Sequence, residues 1–126
     1  MTSFNGCESL KMHEKKENVF YYITLMNENY AHHAMPEGAE AGIRKGMYKL
    51  ETYTGEKAKV QLLSSGTIMM QVREAARILS EDYGIGSDVF SVTSFNEIAR
   101  DGQDVERYNM LHPEAEQKVP YITTLM

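Results

Sequence analysis

The chain has no tryptophan, one cysteine and three prolines among 126 residues. A lone thiol, Cys7, rules out an intrachain disulfide and any zinc site built on four cysteines. Apolar runs are short, and none approaches the roughly 20 residues that a helix needs to cross a bilayer. Basic residues are in the minority, with 13 Lys and Arg against 18 Asp and Glu and a net charge of -5. That balance argues against a sequence-independent nucleic-acid binder, which must present a basic stripe to phosphates. The opening "MTSFNGCESL" lacks a basic n-region and a long apolar stretch, so no secretory signal is visible and a cytoplasmic location is expected. Neither nucleic acid nor membrane is expected as a partner.

What is present is ordinary for a globular protein. Hydrophobic residues make up 42% and charged residues 25%, so neither disorder nor a fibrous class is indicated, and the length suits one domain. "LKMHEKKEN" (residues 10–18) is polar and reads as the end of a helix. "VFYYITLM" (19–26) is almost wholly apolar, rich in β-branched and aromatic residues, and fits a strand buried on both faces. Pro36, Glu37 and Glu40 suit the start of a short helix that Gly46 stops. Residues 47–53 and 58–63 read as two strands joined by a turn around "TGEK", the second being the more buried. In "SSGTIMMQVREAARILSEDYG", Ile68, Val72, Ala75, Ala76, Leu79 and Tyr83 recur at helical spacing, with Gln71, Arg73, Glu74 and Arg77 on the other side. Gly84 is a natural stop. "SDVFSVTSF" reads as a buried strand, and Ser94 with Glu97 forms a capping box opening a helix that Gly102 interrupts. Pro113 closes that segment, and "VPYITTLM" reads as a last strand. Strands alternating with helices from residue 58 onward predict an α/β fold: a three-layer α/β/α arrangement with a mainly parallel sheet, truncated at both ends.

No constellation in the sequence is a complete active site. His32 and His33 are adjacent, so in an extended segment they point to opposite sides and rarely share one metal; solvated linker histidines are the default reading. "LSSGT" could hold an anion at a helix start, but it lacks the dinucleotide and P-loop fingerprints, and capping by Ser65 or Thr67 explains it. Arg100, Asp101 and Asp104 in "RDGQD" fit a surface turn better than acid/base or magnesium chemistry. Arg107, Tyr108 and His112 lie near a helix end, where His112 can satisfy terminal carbonyls. Cys7 has no neighbour pattern that would lower its pKa. The nine methionines, Met69, Met70 and Met110 included, read as core filler. Tyr21, Tyr22, Tyr48 and Tyr53 suit half-buried strands or an oligomer surface.

The blocks "MNENY", "MPEG", "YKLE" and "SVTSF…ARDGQD…R.NMLHP", together with "VPYI", closely resemble the bacterial homodimeric type of pyruvate dehydrogenase E1 component over residues 11 to 126. The resemblance implies a transketolase-like, thiamine-diphosphate-dependent enzyme that uses Mg2+. Such an enzyme decarboxylates pyruvate and acetylates the lipoyl group of an E2 acetyltransferase, and it works as a homodimer. It also implies that residues 11–30 end the middle, pyrimidine-binding domain, that 31–57 form a linker and first strand, and that 58–126 form part of a C-terminal domain. Residues 1–10 match nothing. No catalytic, cofactor-binding or metal-ligating residue of that family has a counterpart here, because those motifs lie upstream in the family. "LLSSG" stands where "LLGSG" is more usual. The expectation is therefore an inactive scaffolding fragment. The alternative is a non-catalytic interaction module that self-associates, or docks on full-length E1, through unpaired strand edges.

Overall fold

The computed structural model describes residues 13–16, 18, 27–30 and 34–126. The chain divides into two units, residues 1–34 and 35–126. In the first, His13 and Glu14 are helical and exposed, and the Tyr30 hydroxyl donates to Glu28 at 3.0 Å. The expected strand at 19–26 lies outside the described residues, as do Cys7, Tyr21, Tyr22, His32 and His33.

The second unit runs α1 (Glu40–Lys45), β1 (Met47–Tyr53), β2 (Ala58–Ser64), a 3-10 turn (Gly66–Ile68), α2 (Met69–Tyr83), β3 (Ile85–Val92), α3 (Phe95–Leu111) and α4 (Tyr121–Leu125). The α/β fold is as expected. The sheet is mixed, in the order β1-β3-β2, with β2 parallel and β1 antiparallel to β3. The parallel pair is the one joined through α2, since strands that run parallel need a crossover connection.

Register partners share a face of the sheet, which assigns its two sides. Met47, Phe90 and Val92 form the core on one side, with Ile98 from α3 and Ile122 and Leu125 from α4 packed on it. Val89 and Ser87 face the other way, toward α2, whose Ala76 is fully buried. Met47 is fully buried, but Met110 is 72% exposed and Met35, Met70 and Met126 are also exposed. Core filler therefore describes only some of the methionines. Tyr48 and Tyr53 are half-buried, as their strand positions suggested.

Gly46 stops α1 in a left-handed conformation with φ +96. Its carbonyl accepts from Thr93 N at 2.8 Å and Ser94 N at 3.0 Å, and a Cβ there would lie 2.6 Å from the Ser94 carbonyl oxygen. The α1–β1 corner and the β3–α3 corner touch through this glycine because no side chain intervenes. Ser94 caps α3 by accepting from Glu97 N at 3.2 Å, and Gly84 ends α2 with φ 67.

Four expectations about the type, length and facing of the elements fail, each for a tertiary reason. β2 is mostly exposed while β1 is mostly half-buried, because β2 is an edge strand among the described residues; an apolar run cannot reveal its neighbours. α3 continues through Gly102 without a break, since one glycine costs a helix only about 1 kcal/mol and Asn109 fastens the following loop back onto it. Asn109 donates to the Lys118 carbonyl at 2.9 Å and accepts from Lys118 N at 2.8 Å.

The third failure is "VPYITTLM", where α4 stands in place of a strand. Asp101 of α3 accepts from Tyr121 N at 2.6 Å, satisfying an N–H that a helix start leaves open. Ile122 and Leu125, three apart, then meet the core from one helical face. The fourth is the face of α2. Ile68 and Tyr83 are 64% and 57% exposed and Ala75 is exposed, whereas Arg73 turns inward.

Candidate functional site

β3 carries Asp88 in the middle of a buried strand, and a charge there must be paired. Asp88 is 6% exposed. Lys49 Nζ reaches one carboxylate oxygen at 2.7 Å and Lys59 Nζ the other at 2.6 Å. The Thr52 hydroxyl adds a hydrogen bond at 2.8 Å. The three partners come from the strands on both sides: Thr52 and Lys49 from β1, Lys59 from β2. The hydrogen bond from Lys49, then that from Lys59, holds the Asp88 carboxyl well below the usual carboxylate range.

A bulge at Leu50 lets β1 present Lys49 to this side and Glu51 to the opposite one. There Arg73 of α2 grips Glu51 with Nε at 2.9 Å and a terminal nitrogen at 2.5 Å, a two-pronged contact that fixes α2 against the sheet. The Tyr53 hydroxyl donates to the same carboxylate at 2.9 Å. Burial first, then the hydrogen bond to Glu51, pushes the Tyr53 hydroxyl above its ordinary range, and the Glu51 hydrogen bond raises Arg73.

The other candidates are also occupied by structural work. Arg100, Asp101 and Asp104 do not form a surface turn: they lie on continuous α3 and line one shallow pocket together with Arg44, Lys45 and Tyr121. Within it Asp101 accepts from Tyr121 N, Arg100 pairs with Glu97 at 2.9 Å, and the Lys45 ammonium lies 4.7 Å from the Tyr121 ring centroid. Tyr121 donates its hydroxyl to the Met47 carbonyl at 2.9 Å. His112 bonds the Tyr108 carbonyl through Nδ1 at 2.9 Å and stacks on the Tyr108 ring at 4.4 Å, its expected role at a helix end. Arg107 is exposed.

The "LSSGT" turn forms no side-chain cap, contrary to expectation, because a 3-10 turn intervenes before α2. Ser64 in this turn and Ser87 on β3 bury their hydroxyls without a hydrogen-bond partner. Among the described residues no group of three or more His, Cys, Asp or Glu could hold a metal ion.

The sequence reading missed Asp88, Glu51 and Arg73. A signal for Asp88 was present, since one carboxylate within the apolar run "SDVFSV" demands cations from neighbouring strands. Nothing comparable marked Arg73, whose place on α2 looks solvent-facing until the sheet supplies Glu51.

Both carboxylates thus serve to lock elements together: Asp88 ties the three strands, and Glu51 ties α2 to the sheet. A family model of the transketolase-like TK C-terminal domain matches residues 46–124 of this chain. The chain belongs to that family. It is 69% identical over 113 residues to the pyruvate dehydrogenase E1 component of Escherichia coli (strain K12), which covers 90% of this chain and 13% of that protein. The E1 component of Haemophilus influenzae is 59% identical over 115 residues, with 90% of this chain and 13% of that protein covered. For Pseudomonas aeruginosa the figures are 57% over 115 residues, 90% and 13%. These relatives bear out the resemblance to the E1 component, and the chain spans 13% of their length. Their names place the transketolase-like domain of this chain within an enzyme family.

Proposed function

We propose that this chain is a scaffolding segment of a pyruvate dehydrogenase E1 component. In this reading the whole enzyme decarboxylates pyruvate with thiamine diphosphate and Mg2+ and acetylates the lipoyl group of E2, as a cytoplasmic homodimer, and the present segment has no catalysis of its own. Residues 11–30 close the middle domain, 31–57 provide a linker and first strand, and 58–126 supply part of the C-terminal domain. The observation that carries the proposal is the 69% identity over 113 residues to an E1 component. The family match over residues 46–124 and the compact unit from Met35 onward support a C-terminal-domain assignment for the second unit, and both begin within the proposed linker.

The carboxylates that anchor the fold do not fit the cofactor's Mg2+. Mg2+ needs oxygen ligands free to enter its shell, whereas Asp88 and Glu51 are held by Lys49, Lys59 and Arg73 and Asp101 by a backbone N–H. No chemical step is therefore assigned to them. The test is to incubate the purified chain with pyruvate, thiamine diphosphate and Mg2+. Neither carbon dioxide release nor calorimetric cofactor binding is expected, and turnover would contradict the proposal.

A further inference from the structure

β2 and β3 are parallel neighbours whose chains leave the sheet on opposite sides. β2 leads into α2, which lies on the Val89 and Ser87 side, and β3 leads into α3, whose Ile98 packs on the Phe90 side. In α/β sheets the carboxyl ends of two neighbouring strands that part in this way are where ligands bind. The turn "SSGTI", Ser64–Ile68, lies at that place.

Its polar groups point to an anion. Gly66–Ile68 runs straight into α2, so one helical stretch begins at Gly66. The N–H groups of Gly66, Thr67 and Ile68 come too early in the helix to have an acceptor within it, and no side chain caps them. Gly66 is left-handed, with φ +62, and a Cβ there would meet nothing within 4 Å. The change of hand between Gly66 and the helical residues after it gathers successive N–H groups around one concavity. Ser64 pairs in register with Ser91, as Val60 does with Ser87 and Leu62 with Val89. Its side chain is therefore on the α2 side of the sheet, beneath the helix start. Ser64 is 5% exposed, and its hydroxyl has no hydrogen-bond partner among the described residues. A buried hydroxyl in that condition is costly, and an anion held at the helix start supplies the missing acceptor. Ser65 and Gly66, which form the rim, are exposed.

We propose that the Ser64–Ile68 turn binds a phosphate group. The three N–H groups and the positive end of the helix dipole face the anion. The Ser64 hydroxyl donates from below, and the Ser65 hydroxyl, which caps nothing, donates from the rim. Five donors fanning from one side match the several oxygens of a phosphate better than the two of a carboxylate. The recognised chemistry is the phosphate itself, free or at the end of a monoester. Ser64 is what this chain adds to the turn, since glycine in the more usual "LLGSG" has no hydroxyl to offer. The proposal goes beyond the scaffold reading and does not rest on it, so failure of either leaves the other standing.

The test is a titration of the full 126-residue chain with inorganic phosphate, followed by the backbone amide signals in NMR. The net charge of -5 repels anions at long range, so sodium chloride keeps the ionic strength constant throughout. The signals of Gly66, Thr67 and Ile68 should move together and saturate on one curve, and acetate at the same ionic strength should leave them in place. Ser64→Ala should weaken phosphate binding by about three- to tenfold, the loss of one hydrogen bond, with the other amide signals unchanged. If that variant fails to fold, the parent titration with phosphate against acetate decides. Absence of saturable shifts at the turn, shifts centred instead on Lys49 and Lys59, equal binding of acetate, or undiminished binding by a folded Ser64→Ala would overturn the proposal.

Discussion

Asp88 is the residue on which most of the sheet converges. Replacing it with Asn leaves Lys49 and Lys59 facing each other without their carboxylate, and should cost on the order of 2–3 kcal/mol in urea unfolding. The depressed folded-state pKa of Asp88 makes the contribution depend on pH in one direction. It is fully present above the unfolded carboxylate value of about 3.9 and fades as the pH falls through that value toward the lower folded one. The stability gap between the parent and Asp88→Asn should therefore be constant from neutrality to about pH 5 and narrow below it; a gap that widened in acid would refute the pairing. Ser64 works in the opposite sense. Its hydroxyl is buried without a partner, so Ser64→Ala should be neutral or stabilise by about 1 kcal/mol. A clear loss would show that the hydroxyl is bonded. It also stands where "LLGSG" is more usual in the family the sequence resembles, so Ser64 brings an unpartnered hydroxyl to a position where glycine has none.

At the scale of elements, α3 offers a direct check, because Gly102 sits within a continuous helix and a Cβ there would meet nothing within 4 Å. Gly102→Ala should stabilise the chain by about 0.5–1 kcal/mol. If Gly102 were a hinge between two short helices, the substitution would give no gain. Glu51 and Arg73 join two elements, and a double-mutant cycle with Glu51→Gln and Arg73→Met should return a coupling of about 1–2 kcal/mol. The elements that were legible in the sequence were those whose signals are local. Ser94 with Glu97 announced the start of α3, Gly46 and Gly84 announced stops, and the apolar "DVFSV" announced β3. The elements misread depend on distant residues. α4 is a helix because Asp101, twenty positions earlier, meets its first N–H and because Ile122 and Leu125 find Phe90 and Met47. The exposure of β2 follows from its place at the edge of the sheet among the described residues, which no property of "AKVQLLS" encodes. The charged groups that matter most, Asp88 and Arg73, were hidden for the same reason: their partners lie on other strands and helices.

For the whole molecule, the charged side chains at the centre of the fold are engaged in holding it together, and the domain family is that of the transketolase C-terminal domain. Both facts are consistent with a segment whose work is structural. Among the described residues no helix is long and apolar enough to cross a membrane. The central claim is that this chain is equivalent to the matching part of an E1 component. It is tested most directly by a chimera in which residues 46–124 of this chain replace the corresponding segment of the Escherichia coli E1 component, assayed for pyruvate decarboxylation. The account predicts a folded enzyme that retains most of the parent activity. A chimera that folds and binds thiamine diphosphate normally yet fails to turn over pyruvate would contradict it.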